Sequence, residues 1–218
     1  HQELRPQSFN LQKDFLRFHE EAVRHLPRGA KLAFVRGDGA LYSIGNIRHF
    51  ERRKLTYGIS AAMKGKLPER IAEIPEAAWE EGEDEKGRPY SIARLPYCPE
   101  SWDQRERTYV ISRRLKDDNG QQYLVEGEQY RYFAYVTNKR GTLYDQFRFC
   151  IERCSLESFV KEAKLGMHYD RLPTSPLTAN RAYLQYTAMA YNLTIYWKLA
   201  VAPPTVNRWT LDTMRARV

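Results

Sequence analysis

Between Leu11 and Ser60 the hydrophobic pattern switches repeatedly between helical and strand-like periods, and this alternation restricts the fold more than any other feature. Leu11, Phe15, Phe18, Ala22, Val23 and Leu26 recur at helical spacing, with Asn10 placed as an N-cap and Pro27 and Gly29 ending the helix. The apolar run Lys31-Leu-Ala-Phe-Val-Arg36 then reads as a buried strand that ends on Gly37-Asp38-Gly39. Ser43 caps a second helix through about Arg53, and Leu55-Thr-Tyr-Gly-Ile-Ser60 reads as a second strand. Helix, strand, helix, strand at such short intervals predicts α/β layering with neighbouring parallel strands.

The middle of the chain has a different texture. Residues 75–88 are rich in Glu, Gly and Pro and read as a solvated excursion. Tyr90–Leu95, Arg107–Leu115, Gln122–Glu126 and Tyr130–Thr137 read as strands, with a turn at Asp117-Asp-Asn-Gly120. A β-rich insertion is therefore expected at 66–138, within an α/β domain that opens over 1–65. After Asn138-Lys-Arg-Gly141 the pattern is helical again. Thr142 caps a long helix to about Leu165, and Gly166 is expected as its C-cap. Thr178 caps a last large helix, Ala179–Ala200, which Pro203-Pro204 stops, so that 139–202 forms a helical segment and 203–218 a tail.

The 218 residues carry a net charge of +8, which points to a polyanionic partner, nucleic acid before acidic membrane. A merely soluble basic protein fits the charge equally well. The three cysteines, Cys98, Cys150 and Cys154, form no Cys-x-x-Cys pair and read as reduced thiols of an intracellular protein. The first residue is His1 and no signal peptide is visible, so the reading expects a chain whose start lies upstream. The apolar stretch Ala182–Ala202 is interrupted by Gln185, Asn192 and Lys198 and reads as a buried amphipathic helix, not a membrane span.

Two groups of residues carry candidate chemistry. On a continuous helix, Cys150, Arg153, Glu157 and Lys164 would fall within about 60° of one another, with Lys161 beside them. A carboxylate among cations can equally be an ordinary solvated face. Asp38 follows a buried strand, where open α/β sheets bind ligands, and its flanking glycines permit a sharp turn. Asp-Gly is also a common turn pair with no further role.

Taken together and in order, these residues resemble bacterial insertion-sequence transposases of the DDE type. Cys150-x2-Arg153-x3-Glu157-x6-Lys164 is similar to that group's Tyr-x2-Arg-x3-Glu-x6-Lys signature. Arg36-Gly-Asp38 resembles its second catalytic aspartate after a strand, and Tyr130-Arg-Tyr-Phe-Ala-Tyr-Val-Thr-Asn138 the strand leaving its β insertion. Leu172-Pro, Ala179-Asn-Arg-Ala-Tyr-Leu184 and Ala190-Tyr-Asn-Leu193 resemble its closing helix. The resemblance runs from about Glu3 to Lys198 and departs in two places. Cys150 stands where the signature has tyrosine. The family's first aspartate has no counterpart, because Asp14, the one Asp ahead of Asp38, sits on a helix.

The resemblance implies an α/β fold: a ribonuclease-H-like catalytic core lacking its N-terminal strands, with a β-rich insertion before the helix of the catalytic Glu. It implies Asp38 and Glu157 as catalytic, metal-holding carboxylates in a two-metal site for Mg²⁺ or Mn²⁺, which suit hard oxygen donors. Arg36, Arg153, Lys161 and Lys164 are implied as DNA contacts. The implied activity is cleavage at transposon ends and strand transfer to target DNA, by a homodimer on DNA in the bacterial cytoplasm, nucleoid-associated and away from membranes. These 218 residues alone are expected to be inactive for want of the first Asp. A catalytically inactive DNA-binding or regulatory remnant is the alternative. Trp79 and Trp102 are candidates for stacking on an unpaired base, against the commoner role of packing.

Overall fold

The computed structural model describes residues 11–84, 87–116, 129–152, 154–168 and 171–217, with side chains given for all but 11–13, 154–160 and 208. Packing divides the described residues into two compact units, residues 11–152 and residues 154–217.

The larger unit is built on one six-stranded sheet. Helix α1 (Leu11–Arg24) precedes strand β1 (Phe34–Gly37), helix α2 (Ile44–Arg52) and strand β2 (Thr56–Ala61). Helix α3 (Leu67–Ala72) leads to strands β3 (Glu80–Glu83), β4 (Pro89–Tyr97), β5 (Arg107–Leu115) and β6 (Tyr130–Thr137), and helix α4 (Leu143–Ile151) closes the unit. The sheet order is β1-β2-β6-β5-β4-β3. As the alternating pattern predicts, β1 and β2 are parallel, with Phe34 opposite Thr56. Every other pairing is antiparallel. The strands at 80–137 thus continue the sheet of β1 and β2 instead of forming a sheet of their own. Among the described residues β1 pairs on one side only, and its Phe34 is 49% exposed.

Strand alternation sorts side chains to two faces. On one face Tyr57, Ile59, Tyr109, Ile111 and Val136 pack with Phe15 of α1 and Ile47 and Phe50 of α2. On the other, Val110, Tyr135 and Ile92 pack with Leu143, Phe147, Phe149 and Cys150 of α4. Gly58 permits the close approach of α4, since a Cβ there would lie 3.1 Å from both Cys150 Sγ and Phe149 Cε1. Arg107, almost fully buried, ties α2 to β5 through Glu51 at 2.9 Å and Asp103 at 2.7 Å. Hydrogen bonding to Arg107 holds the Asp103 carboxyl well below the usual carboxylate range.

The smaller unit contains α5 (Cys154–Met167), α6 (Leu177–Ala200) and α7 (Leu211–Arg217). Val206, Leu211 and Met214 form its core, with Met167, Tyr191 and Trp209 against them. Glu162 of α5 accepts from Leu211 N at 3.1 Å and from Tyr191 Oη at 3.3 Å, so a carboxylate satisfies the first turn of α7. No helix among the described residues is long and apolar enough to cross a membrane.

Several sequence expectations are corrected. The helix expected from Thr142 to Leu165 is two helices, parting after Ile151. Gly166 lies inside α5 against Leu211, and is no C-cap. The stretch 75–88, read as a solvated excursion, contains a 3-10 turn and β3, whose Glu80–Glu83 pair with Pro89–Ile92. Edge pairing there outweighs the poor strand propensity of Glu and Gly. The tail 203–218 folds into a 3-10 turn and α7, and α6 begins at Leu177 behind Pro176 instead of at a Thr178 cap. The turn at 117–120 and the strand at 122–126 lie outside the described residues.

Candidate active site

Asp38 stands just past the C-terminal end of β1 and is exposed. It caps a short 3-10 turn, Gly39–Leu41, its Oδ1 accepting from Ala40 N at 3.0 Å. That bond fixes one carboxylate oxygen and leaves the other without a partner among the described residues. Gly37 is required beneath it, because a Cβ there would strike Leu41 and lie 3.2 Å from Ile59 Cδ1. Exposed carboxylate oxygens are hard donors, so Asp38 fits a divalent cation in donor chemistry. No three His, Cys, Asp or Glu side chains gather as a metal set among the described residues.

Glu157 lies on α5, in the smaller unit, and its side chain is outside the described atoms. Arg153 falls outside the described residues. Lys161 and Lys164 are exposed on α5. The helical wheel that gathers Cys150, Arg153, Glu157 and Lys164 on one face assumes a continuous helix, and the parting after Ile151 removes that assumption for Cys150. Cys150 is fully buried over Gly58, so this position packs where the signature's tyrosine would offer a hydroxyl.

Arg36 sits at the end of α4. Its Nη1 donates to Glu152 O at 2.8 Å and its Nη2 to Glu152 Oε2 at 3.2 Å. In a continuous helix that carbonyl would accept from the amide four residues on. The guanidinium donates to it here, placing positive charge at the C-terminus of α4 where the helix dipole favours it. The guanidinium also stacks on Phe149 and Phe34, 4.6 Å and 4.9 Å from their ring centroids. Arg148 Nη2 holds the other Glu152 oxygen at 3.0 Å.

Trp79 packs on Tyr132, with Arg113 4.3 Å from its ring centroid. Trp102 packs on Tyr42, ring centroids 5.0 Å apart. Both indoles are partly buried against the core.

The structure adds residues that motif reading passed over. Lys139, Arg140, Arg148 and Phe149 join Arg36, already singled out in the sequence, in lining a groove of about 390 Å³ with Asp145 and Glu152. The stretch Asn138-Lys-Arg-Gly141 marks a segment boundary in the sequence, and its two adjacent cations were the available signal. Arg148 had no signal, since its neighbours come together only when α4 docks.

No curated protein sequence matches the chain significantly. A family model described as transposase DDE domain group 1 matches residues 1–218, the whole of the chain, and the chain belongs to that family.

Proposed function

We propose that the protein acts in metal-dependent phosphoryl transfer at transposon ends, cleaving DNA there and joining the released 3′ end to target DNA. Membership of a transposase family supports DNA transposition in general. The observation that carries the finer reading is Asp38: an exposed carboxylate at the end of a core strand, anchored through one oxygen and open at the other. Asp38 and Glu157 would hold Mg²⁺ or Mn²⁺, which when bound stabilises charge on the attacking and leaving oxygens of an in-line displacement at phosphorus. Arg153, Lys161 and Lys164 would grip phosphates near the scissile bond, Arg through paired N–H donors and Lys as a point charge. Arg36 acts through position in this reading, holding β1 while its guanidinium is engaged with Glu152. The working form is a homodimer on DNA.

The family's first aspartate has no counterpart at a strand position, since Asp14 lies on α1. The 218 residues alone are therefore proposed to bind DNA without cleaving or joining it. The test is a metal-dependence assay on DNA carrying the element's ends, with this chain, with this chain complemented by a polypeptide that supplies a third carboxylate, and with the complemented chain carrying Glu157→Gln or Asp38→Asn. The expected outcome is cleavage by the complemented chain alone, abolished by either substitution. Cleavage that survives Glu157→Gln or Asp38→Asn would remove that residue from the mechanism, and cleavage by the 218-residue chain would overturn the inactivity.

A further inference from the structure

We propose that the groove between the Asn138–Gly141 loop and α4 binds the phosphate backbone of DNA through Lys139 and Arg140, with Arg36 and Arg148 on its wall. The inference rests on the reading of the protein as one that acts on DNA, and adds a contact surface that the signature residues do not include.

Charge balance comes first. The groove is lined by four cations and two carboxylates. Both carboxylates are committed. Glu152 lies between Arg36 at 3.2 Å and Arg148 at 3.0 Å. Asp145 accepts from Thr142 N at 3.1 Å and Thr142 Oγ1 at 2.7 Å, closing a capping box on α4. Lys139 and Arg140 meet no carboxylate among the described residues, and Arg140 is exposed. The Asp145 carboxyl is held below its ordinary range first by Thr142, and further by the nearby charges of Lys139 and Arg148.

The loop is also preorganised. Asn138 Oδ1 accepts from Tyr57 N at 2.8 Å and its Nδ2 donates to Leu55 O at 2.9 Å, so its amide pairs with the start of β2 as a strand residue would. Thr137 Oγ1 donates to Tyr57 O at 2.6 Å and accepts from Lys139 N at 3.1 Å. Gln146 Nε2 donates to Lys139 O at 2.7 Å. The main chain up to Lys139 is thus fixed before any ligand arrives, which removes part of the ordering cost of binding. Basic side chains on a rigid loop, beside guanidiniums already fixed in place, match a repeating anion better than a single small one.

The location is specific. β1 and β2 run parallel from Phe34 and Thr56, and Asn138 bonds the start of β2, so the groove lies at the opposite end of these strands from Asp38. DNA reaching both would run alongside the edge strand.

The experiment is binding of the 218-residue chain to a mixed-sequence DNA duplex across a salt series, for wild type, Lys139→Gln/Arg140→Gln, and Lys161→Gln/Lys164→Gln. Each phosphate contact contributes about 0.9 to the slope of log affinity against log salt. Loss of Lys139 and Arg140 should therefore flatten the slope by about 1.8 and weaken low-salt affinity at least about tenfold, with an unchanged melting midpoint. Wild-type binding with a slope that the loop double variant leaves intact overturns the groove while DNA binding stands. Absence of salt-sensitive binding by wild type overturns the DNA reading itself. Equal binding of wild type to anionic lipid vesicles, lost in the loop variant with DNA affinity unchanged, would assign the loop to a membrane and also overturn the groove.

Discussion

Arg36 donates to the main-chain carbonyl of Glu152 at 2.8 Å, across a separation of 116 residues. The bond joins the edge strand that carries Asp38 to the end of α4, and it is where the long helix expected from sequence gives way. One side chain thus links β1 to the last turn of α4.

Replacing Arg36 by Ala should lower unfolding stability by about 1–3 kcal/mol, since charge-assisted hydrogen bonds are lost. The lower half of that range applies because Glu152 is 44% exposed at its side chain. Lysine should recover only a minor part, having no planar fork to reach carbonyl and carboxylate together. Denaturant midpoints for Arg36→Ala and Arg36→Lys measure this, and identical midpoints for all three proteins would contradict it.

Restoring the signature's tyrosine at position 150 should harm this chain. Cys150 is fully buried and Gly58 has no spare room beneath it. Overpacking of this kind costs about 1–3 kcal/mol. Cys150→Tyr is expected to lower the melting midpoint, while Cys150→Ala changes it less than the tyrosine does. A tyrosine variant as stable as wild type and tighter on DNA would show that the position faces ligand.

Asn138→Ala should destabilise by about 1–3 kcal/mol, because it strands the Tyr57 amide that Asn138 Oδ1 accepts. Asn138→Asp keeps the acceptor but loses the donor to Leu55 O, and should fall between the two. Thermal unfolding of the three proteins orders them, and an Ala variant matching wild type would show that water replaces both bonds.

His19 and His49 predict an acid-sensitive interface between α1 and α2. His49 Nε2 and His19 Nδ1 lie 3.2 Å apart, and both rings are buried among Phe15 and Phe50. Burial lowers both below the ordinary 6.5; neighbouring Arg53 adds to this and Glu20 opposes it, His49 also feels Arg52, and the two imidazoles repel one another when charged. A depressed folded value means that the unfolded chain binds more protons below about 6.5. Stability contributed here is complete above that pH and is lost as pH falls through the folded values. Denaturation midpoints at pH 7.5 and 5.5 should differ, and His19→Gln/His49→Gln should narrow the difference. A midpoint that rises on acidification would reverse the sign of the effect.

What the sequence disclosed follows the range of the interactions involved. Ser43 caps α2 and Thr142 closes its capping box with Asp145, each within a few residues, and both were legible. The strands Arg107–Leu115 and Tyr130–Thr137 carried enough β-branched and aromatic residues to be bounded directly. The parting after Ile151 was not legible, because no proline or glycine marks it and Arg36, which bonds the end of α4, is remote in sequence. β3 was hidden for a related reason: Glu80–Glu83 is a poor strand by composition and exists by pairing with β4. At the candidate site, the strand end bearing Asp38 was legible from Gly-Asp-Gly, while the Lys139–Arg140 groove needed α4 to bring Arg148 alongside.

Strand β1 behaves as a cantilever. A single row of backbone bonds fixes it to β2, one guanidinium clamps it to α4, and Asp38 sits at its tip. Local opening of so short an edge element requires far less free energy than unfolding the sheet. The scatter of the Asp38 carboxylate is therefore expected to follow the compliance of this strand more than the stability of the domain. A substitution that loosens the clamp is expected to cost the domain modest stability and, in the proposed reading, to blur the position of the carboxylate that would hold metal.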